Sequence, residues 1–410
     1  MTEFKQTTLD NGLDVIAEVN PNAYAASIGF FVRTGSRDES DEIVGVSHFL
    51  EHMVFKGTPR RSAADVNRQL DEMGGVSNAF TTEEATVFYI SVLPELQTQA
   101  VDLLADILRP SLREDDFNTE KNVILEEIKM YEDQPPFGID EKCRELFFQG
   151  HPLSRSVLGT RETVGALTVE QMRAYFNRRY VPGNITVAAS GAVDFGKFVE
   201  DVKNCCGAWE ARPVSRETFR PVGRPGKEIF VRPSATQEYL FLLSDAPSGR
   251  DDERYAAAIL ANIVGDDVGS RLFWNLVDNG KADYASLGFC DFFDGGYFCT
   301  SLCAAPENAA ENTRIAEEIC SRATDEGVTA EELDRAKNKI LARLVMASER
   351  SRGRLFSIGS EWTVNRAYSP ISADLKIVRE MALEQVNDLL KKYPLTPKLT
   401  VAVGPVEGLG

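Results

Sequence analysis

The chain repeats one sequence pattern in its two halves, and this repeat limits the possible folds more than any other feature. The segment Thr168-Val169-Glu170-Gln171-Met172 recurs as Ala382-Leu383-Glu384-Gln385-Val386. The apolar run at residues 185–188 recurs at residues 399–402 with the same spacing. A chain of 410 residues also exceeds the length at which a single hydrophobic core usually stops growing. We therefore predict a duplicated domain.

Each half combines strand-like stretches with longer helical ones. Residues 87–92, Val-Phe-Tyr-Ile-Ser-Val, indicate a strand, and residues 96–108 have the periodicity of an amphipathic helix. This mixture predicts an α+β fold of two homologous domains, each with an antiparallel-rich sheet and helices packed on one face. Residues 211–227, rich in proline, glycine and arginine, are predicted to link domains at residues 1–210 and 228–410.

The charge balance is strongly acidic, with 63 Asp and Glu against 45 Lys and Arg and a net charge of -18. This balance excludes nucleic acid as a partner, because binding phosphate requires a basic surface. An acidic interior would attract basic or amphipathic peptides, whereas charge spread over the outside would only promote solubility. The composition leaves both interpretations open.

The sequence has no apolar run long enough to span a membrane, so no membrane association is expected. Its first residues, Met1-Thr2-Glu3-Phe4-Lys5, have neither the hydrophobic core of a signal peptide nor the arginine-rich character of a transit peptide. We therefore expect a cytoplasmic location in a bacterium. The seven cysteines are odd in number and lack C-x-x-C spacing, which predicts reduced, buried thiols.

Two of the three histidines in the chain lie four residues apart, at His48 and His52, and Glu51 directly precedes the second. On an α-helix these three positions share one face. Two imidazoles at this spacing can hold one Zn²⁺, and a carboxylate beside them can take a proton from water rather than serve as a ligand. The third histidine, His151, precedes a proline and is predicted to make local hydrogen bonds instead.

A catalytic zinc site needs a third protein ligand, and a second helical segment at residues 118–128 offers one. Glu120 and Glu127 lie two helical turns apart on one stripe of this segment, whereas Glu126 points elsewhere. We predict that Glu127 is the third ligand and that Glu120 orients one of the histidines. Considered alone, the segment would be interpreted as a solvated acidic helix.

The second half shows which residues the scaffold has where no metal is expected. The positions aligned with His48, Glu51, His52, Glu120 and Glu127 are, in this order, Ile259, Asn262, Ile263, Ala336 and Arg343. The repeated fold therefore tolerates other residues at all five positions. Because burying a polar cluster without partners is costly, packing does not explain the residues of the first half.

The motif H-x-x-E-H, followed by E-x6-E in a Val-Ile-Leu-Glu-Glu-Ile context, resembles the inverted-motif zinc peptidases, a family that includes pitrilysin, insulin-degrading enzyme and mitochondrial processing peptidase. The chain is most similar to the short, two-domain bacterial members. The resemblance covers nearly the whole first half, through residues 10–13, 52–58, 74–79, 151–153 and 158–160.

This resemblance implies a zinc metalloendopeptidase with one Zn²⁺ per chain, held by His48, His52 and Glu127. It implies that Glu51 is the general base. It also implies that two chains pair to form a chamber that admits peptides or unfolded segments, which makes a homodimer the expected assembly. Family members bind extended substrate along a strand edge, which is here expected at Asn78, Ala79, Phe80 and Thr81, through backbone hydrogen bonds.

The chain departs from the family pattern in its second half. Family enzymes have an arginine seven residues before a tyrosine, and both act on the substrate carbonyl. Tyr284 matches the tyrosine and is expected to be catalytic, but the arginine position is Val277, and Arg271 is the nearby arginine that remains. This departure leaves two alternatives open: another residue compensates, or a related subunit brings the arginine in a heterodimer. The alternative function is a catalytically weak or inactive peptide-binding or scaffold subunit.

Overall fold

The computed structural model describes residues 2–133 and 138–409. Its β-strands are β1 (Glu3–Thr8), β2 (Asp14–Val19), β3 (Ala26–Val32), β4 (Val76–Thr81), β5 (Thr86–Val92), β6 (Ile185–Gly191), β7 (Gly226–Val231), β8 (Glu238–Ala246), β9 (Tyr284–Asp291), β10 (Gly296–Ala304) and β11 (Leu399–Gly404). The α-helices of the first half are α1 (Val46–Val54), α2 (Ala63–Glu72), α3 (Gln97–Ile107), α4 (Glu114–Asp133), α5 (Ile139–Phe147), α6 (Arg161–Ala166), α7 (Val169–Arg179) and α8 (Phe195–Cys206). Those of the second half are α9 (Arg254–Gly265), α10 (Ala309–Glu326), α11 (Ala330–Ser348), α12 (Ser351–Asn365), α13 (Ile371–Glu380) and α14 (Leu383–Lys392).

The two sheets have the same strand order, which confirms the predicted duplication. The first sheet is ordered β1-β2-β6-β3-β5-β4 and the second β7-β11-β8-β10-β9. The β2–β6 pair is parallel, as is its counterpart β7–β11, and all other neighbours are antiparallel. Strand β1 has no counterpart in the second sheet. The predicted α+β fold of two homologous domains is therefore confirmed.

The local predictions match individual elements closely. The strand predicted at residues 87–92 is β5, and the helix predicted at residues 96–108 is α3. A short 3₁₀ turn at Pro94–Leu96 leads into α3, and its repeat at Pro306–Asn308 leads into α10. Proline suits both turns because the first residue of a helix needs no backbone N–H donor.

Grouped by contacts, the chain forms two compact units. One unit contains the chain up to Met130, Arg155–Glu217 and Val345–Ser369, and the other contains Tyr131–Ser154, Thr218–Leu344 and the chain from Pro370 onwards. Helix α5, from the first half, thus belongs to the second unit, and α12, from the second half, belongs to the first. Residues 210–225 have no helix or strand, and they contribute to both units.

In the first unit, most helices cover one face of the sheet and form the main core. Phe30 and Phe88 on the sheet pack there with Phe49 of α1 and Phe198 of α8. The opposite face carries a single helix, α12, which the sequence did not predict in that place. Gly359 allows α12 to lie close to the sheet, because a Cβ atom at this position would come within 2.3 Å of a Phe31 ring atom.

The second unit is built in the same way. Helices α9, α10 and α14 pack on one face of its sheet. Helix α5 packs on the other face, where Phe147 joins a core with Leu243 of β8 and Val401 of β11. No helix among the described residues is long and apolar enough to cross a membrane. All seven cysteines are free thiols, of which four are buried, as predicted, and three are only partly buried.

A buried ion pair joins α12 to the first sheet. Arg354 donates from Nε to Glu18 Oε1 over 2.8 Å, and the Tyr368 hydroxyl donates to Glu18 Oε2 over 2.9 Å. Glu18 and Arg354 are both about 5% exposed. A charge at this depth is tolerated only while its partner is present, because burial removes its hydration.

We predict that Arg354→Ala lowers the free energy of unfolding by about 3–5 kcal/mol, because Glu18 would keep a buried charge without a partner. Urea denaturation of wild type and variant measures the difference. Arg314→Ala is the matched control, since Arg314 pairs with Glu318 on the surface and its loss should cost less than about 1 kcal/mol. Equal effects of the two substitutions would contradict the prediction.

Candidate metal centre

Helix α1 begins at a tightly constrained point. Gly45, which precedes it, has φ of 95°, and a Cβ atom there would lie 2.7 Å from the Leu158 carbonyl oxygen. Only glycine fits such a contact at positive φ. The Glu39 carboxylate accepts hydrogen bonds from the N–H groups of Gly45 and Ser47, each at 2.7 Å. Burial raises the pKa of Glu39 to about 8, although these hydrogen bonds oppose the shift. Its two oxygens satisfy two of the free N–H groups at this end, so the start of α1 is fixed.

Three metal-ligating side chains meet between α1 and α4. Nε2 of His48 lies 3.9 Å from Oε2 of Glu127, and Nε2 of His52 lies 3.8 Å from the same oxygen. One ligand atom from each of the three residues lies within 4.8 Å of the others. The structure thus brings together the three residues that the sequence predicts as metal ligands.

The donor atoms fit a zinc ion. Zinc binds histidine nitrogen at about 2.0–2.1 Å with tetrahedral angles, which places neighbouring ligand atoms about 3.4 Å apart. The distances from the two histidine Nε2 atoms to Glu127 Oε2, 3.9 and 3.8 Å, are slightly longer than this value. Nδ1 of His52 lies 2.9 Å from Glu120 Oε1, so this nitrogen carries a proton, and in the neutral ring Nε2 is the nitrogen with a lone pair for a metal. Lone pairs converging on a carboxylate repel each other unless a cation lies between them.

Burial keeps the His48 imidazole neutral, and a metal binds only the neutral ring. Burial, together with the nearby His52, lowers the pKa of His48 from 6.5 to about 3. The imidazole is therefore neutral at pH 7. Its Nδ1 is buried and makes no hydrogen bond within the described part of the chain, so the ring depends on its Nε2 side for polar contacts.

Glu120 and Lys56 support His52 from behind. Glu120 accepts from His52 Nδ1, and its second oxygen lies 2.6 Å from the Lys56 ammonium nitrogen. Burial acts to raise the pKa of Glu120, but the hydrogen bonds from Lys56 and His52 outweigh it and lower that pKa. An ionised Glu120 fixes the tautomer of His52. Sequence reasoning missed Lys56, although it lies four residues after His52 and this spacing could have indicated it.

Glu51 lies beside the ligands but is not one of the three clustered residues. Its Oε2 accepts a hydrogen bond of 2.7 Å from the hydroxyl of Thr81. Burial raises the pKa of Glu51, although the hydrogen bond from Thr81 opposes this shift. A carboxylate with a raised pKa next to a metal centre is suited to receive a proton from water near neutral pH.

Strand β4 lies at the end of the first sheet, with β5 as its neighbour. The residues expected to bind substrate lie on this strand and alternate in direction: Asn78 and Phe80 are exposed, while Ala79 and Thr81 are partly buried. The Phe80 ring lies 5.8 Å from the ring of Phe356 on α12. The outer backbone edge of β4 is thus available for pairing within the described structure.

Tyr284 and Arg271 both belong to the second unit. Tyr284 is the first residue of β9 and is 40% exposed, and burial of part of its ring raises its pKa to about 12. Its hydroxyl therefore keeps its proton at neutral pH. Arg271 binds Glu332 at 2.7 and 2.8 Å and also donates to the Gly327 carbonyl, so it has a structural role. Val277 packs against the second core.

In the second unit, different chemistry occupies the positions equivalent to the metal centre. Ile259 and Ile263 of α9 are buried in the core, and Ala336 of α11 is also buried. Arg343 donates to Asp266 over 2.8 Å. Apolar packing and an ion pair thus replace the cluster found in the first unit.

His151 makes the local hydrogen bonds predicted for it. Its Nδ1 accepts from the N–H of Leu153 over 3.1 Å, and Nε2 lies 2.9 Å from the carbonyl oxygen of Phe219. Nε2 is therefore the protonated nitrogen, and neither nitrogen is oriented towards a metal.

Family models match most of the chain. The model described as insulinase, peptidase family M16, matches residues 14–161, and the model described as peptidase M16 inactive domain matches residues 166–340. Among curated proteins, an uncharacterized zinc protease of Mycobacterium tuberculosis is 33% identical, over 93% of this chain and 89% of the relative. One from Bacillus subtilis is 29% identical over 95% of both chains. The probable mitochondrial-processing peptidase subunit beta of Arabidopsis thaliana is 28% identical, over 99% of this chain and 79% of its own length.

Solved structures share the fold. A protease from Helicobacter pylori superimposes with a TM-score of 0.92 at 21% identity, covering 99% of this chain and 100% of that one. A peptidase M16 inactive domain from Pseudomonas fluorescens gives a TM-score of 0.90 at 18% identity, covering 98% of both chains. A chain of complex III2 from Candida albicans gives 0.86 at 19% identity, covering 99% of this chain and 97% of that one.

We predict that Glu120→Gln weakens zinc binding by about 10- to 100-fold, because a neutral amide holds the His52 tautomer less firmly than a carboxylate does. Competition with a chromophoric chelator measures the affinity. Glu126→Gln is the matched control on the exposed face of the same helix and should bind zinc as the wild type does. Unchanged affinity in Glu120→Gln would contradict this role for Glu120.

A second prediction concerns the stability of the metal-free protein below neutral pH. The pKa of His48 is lowered by folding, so between pH 6.5 and about 3 the unfolded chain binds a proton that the folded chain does not. Stability is therefore lost as the pH falls through this range. From pH 7 to 5 the wild type should lose about 2 kcal/mol more than His48→Ile, which carries the residue of the second copy. Urea denaturation at both pH values measures this, and equal losses would refute it.

Proposed function

Because the chain belongs to the insulinase family of peptidases, M16, we propose that it is a zinc-dependent endopeptidase that hydrolyses peptides or unfolded segments. The observation that carries this proposal is the position of Glu51, which lies beside the cluster of His48, His52 and Glu127 without joining it. Structural zinc sites are usually closed by four protein ligands, whereas a catalytic site leaves one position open and places a base next to it.

His48, His52 and Glu127 would hold one Zn²⁺ per chain. When bound, zinc would lower the pKa of a water molecule and polarise the scissile carbonyl. Glu51 takes the proton of the attacking water and delivers it to the leaving amine nitrogen. Lys56 and Glu120 keep His52 in the tautomer that presents Nε2.

Substrate would bind as an additional strand along β4, at Asn78, Ala79, Phe80 and Thr81. An extended peptide that pairs with an open edge is held by backbone hydrogen bonds, which require no particular sequence. If the net charge of -18 lined the chamber, it would attract basic or amphipathic peptides.

The second half would complete the site of a partner chain. In this proposal two chains form a homodimeric chamber, and the Tyr284 hydroxyl, which keeps its proton at neutral pH, donates a hydrogen bond to the developing oxyanion. A heterodimer with a related, arginine-bearing subunit is the variant of this assembly that Val277 suggests. The relative from Arabidopsis thaliana is itself named as a subunit, which supports assembly with another chain.

A second candidate function is a peptide-binding or scaffold subunit with little or no activity. The observation that favours it is the commitment of Arg271 to Glu332, which leaves Val277 without a nearby replacement for the family arginine. The Candida albicans chain of the same fold belongs to complex III2, an assembly. Glu51 distinguishes the two functions, because a scaffold has no use for a base beside a metal.

Cleavage of a mixed panel of unstructured peptides by wild type and Glu51→Gln tests the proposal. We expect the wild type to cleave and the variant to be at least about 100-fold slower, because the proton acceptor is lost. The zinc content of the two proteins should be equal. Glu126→Gln serves as the control and should cleave as the wild type does.

The opposite results are equally informative. If wild type and Glu51→Gln both hold zinc and neither cleaves any peptide, the peptidase proposal fails for the isolated chain and the scaffold function is favoured. If both cleave at the same rate, Glu51 is not the base.

A further inference from the structure

We infer that Thr81 is a positioning residue that holds the Glu51 carboxylate in the orientation needed to receive a proton. This inference rests on the proposed function, and it assigns to the Thr81 side chain a role other than substrate binding. Thr81 is the last residue of β4, and its hydroxyl lies 2.7 Å from Glu51 Oε2. The two residues are thirty positions apart in the sequence.

The direction of this hydrogen bond follows from the neighbouring groups. A hydroxyl has one proton to donate, and the Thr86 hydroxyl lies 3.5 Å away as a second possible acceptor. Thr86 donates its own proton to the carbonyl of Thr34 over 2.9 Å. A carboxylate is a stronger acceptor than a hydroxyl, and the contact with Glu51 is shorter, so Thr81 donates to Glu51.

The hydrogen bond occupies one oxygen of Glu51 and leaves the other for water. Thr81 is well suited to this task because a β-branched side chain has little freedom at χ1. The backbone next to it is also held, since Thr82 and Ala85 close the β4–β5 turn with a hydrogen bond of 2.8 Å. A flexible glutamate is thus restrained by a rigid partner.

Side chains on β4 alternate in direction, so one strand can both pair with substrate and orient Glu51. Asn78 and Phe80 point outwards and are exposed, whereas Thr81 points towards Glu51. A peptide that pairs with the backbone of β4 would therefore bind to the strand that also holds the base. Substrate binding and base orientation would share one rigid element.

The second copy provides an independent comparison. In the first sheet, Thr86 pairs with Thr81 across the β4–β5 register. The repeated 3₁₀ turns at Pro94–Leu96 and Pro306–Asn308 align Thr86 with Phe298, which faces the main core of the second unit and pairs with Phe289. The copy that has Asn262 in place of Glu51 thus has a phenylalanine in place of Thr81, so the scaffold does not require a hydroxyl here.

The test compares Thr81→Val, which keeps the shape and removes the hydroxyl, with Thr81→Ser, which keeps the hydroxyl. For Thr81→Val we expect kcat to fall about 10- to 100-fold with KM and zinc content unchanged, because a hydrogen bond to a charged group is lost. Thr81→Ser should recover most of kcat. Thr98→Val is the matched control, since it removes a threonine–carboxylate hydrogen bond of 2.8 Å to Asp201 outside the site, and its kcat should not change.

A second measurement does not depend on activity. Crystal structures of the metal-free proteins should show one Glu51 conformer in wild type and Thr81→Ser, and a displaced or divided conformer in Thr81→Val. The inference is overturned if Thr81→Val raises KM alone, if it cleaves like the wild type, or if Thr81→Ser is as slow as Thr81→Val. If the wild type cleaves no peptide, the proposed function fails, and the Glu51 conformers still decide whether Thr81 positions the carboxylate.

Discussion

The fixed start of helix α1 is the constraint on which the site depends. The Glu39 carboxylate binds the N–H groups of Gly45 and Ser47, and the Ser47 hydroxyl lies 2.7 Å from the buried hydroxyl of Tyr175. These contacts set both the position and the rotation of a helix only nine residues long. Because His48, Glu51 and His52 follow within the next two turns, any shift of the helix start would move all three together.

The metal centre concentrates groups that are costly to bury. His48 is held neutral, and Glu51, Glu120 and Glu127 bring carboxylates to the same region. The ammonium of Lys56, which pairs with Glu120, offsets part of this cost. At the equivalent positions the second unit buries fewer polar groups, because it has isoleucines in the core and an arginine paired to Asp266. The cluster in the first unit therefore carries a desolvation cost that the residues of the second unit avoid.

Much of the fold and the candidate ligand set could be predicted because the signals are local. Residues four apart on a helix must share a face, so the spacing of His48 and His52 was enough to propose them as a pair of ligands. The placement of Glu127 followed from the same periodicity and from the family resemblance. The contact of Lys56 was missed although its spacing from His52 could have indicated it. The contact of Thr81 could not be predicted, because Thr81 lies on a strand and no local pattern shows which helix faces it. The exchange of α5 and α12 between the units could not be predicted either, because no local pattern in a helix specifies the sheet on which it packs.

The sequence by itself determined the duplication, the α+β class, the helices that carry the candidate ligands and the residue types that can hold zinc. These features depend on periodicity and on repeated segments, which are written in neighbouring residues. Only the tertiary structure decided which carboxylate faces which imidazole, that Thr81 meets Glu51, and that Arg271 is bound to Glu332. The physical reason is that these contacts join residues 30 to 79 positions apart. Strand order and helix packing bring such residues together, and no local pattern encodes that arrangement.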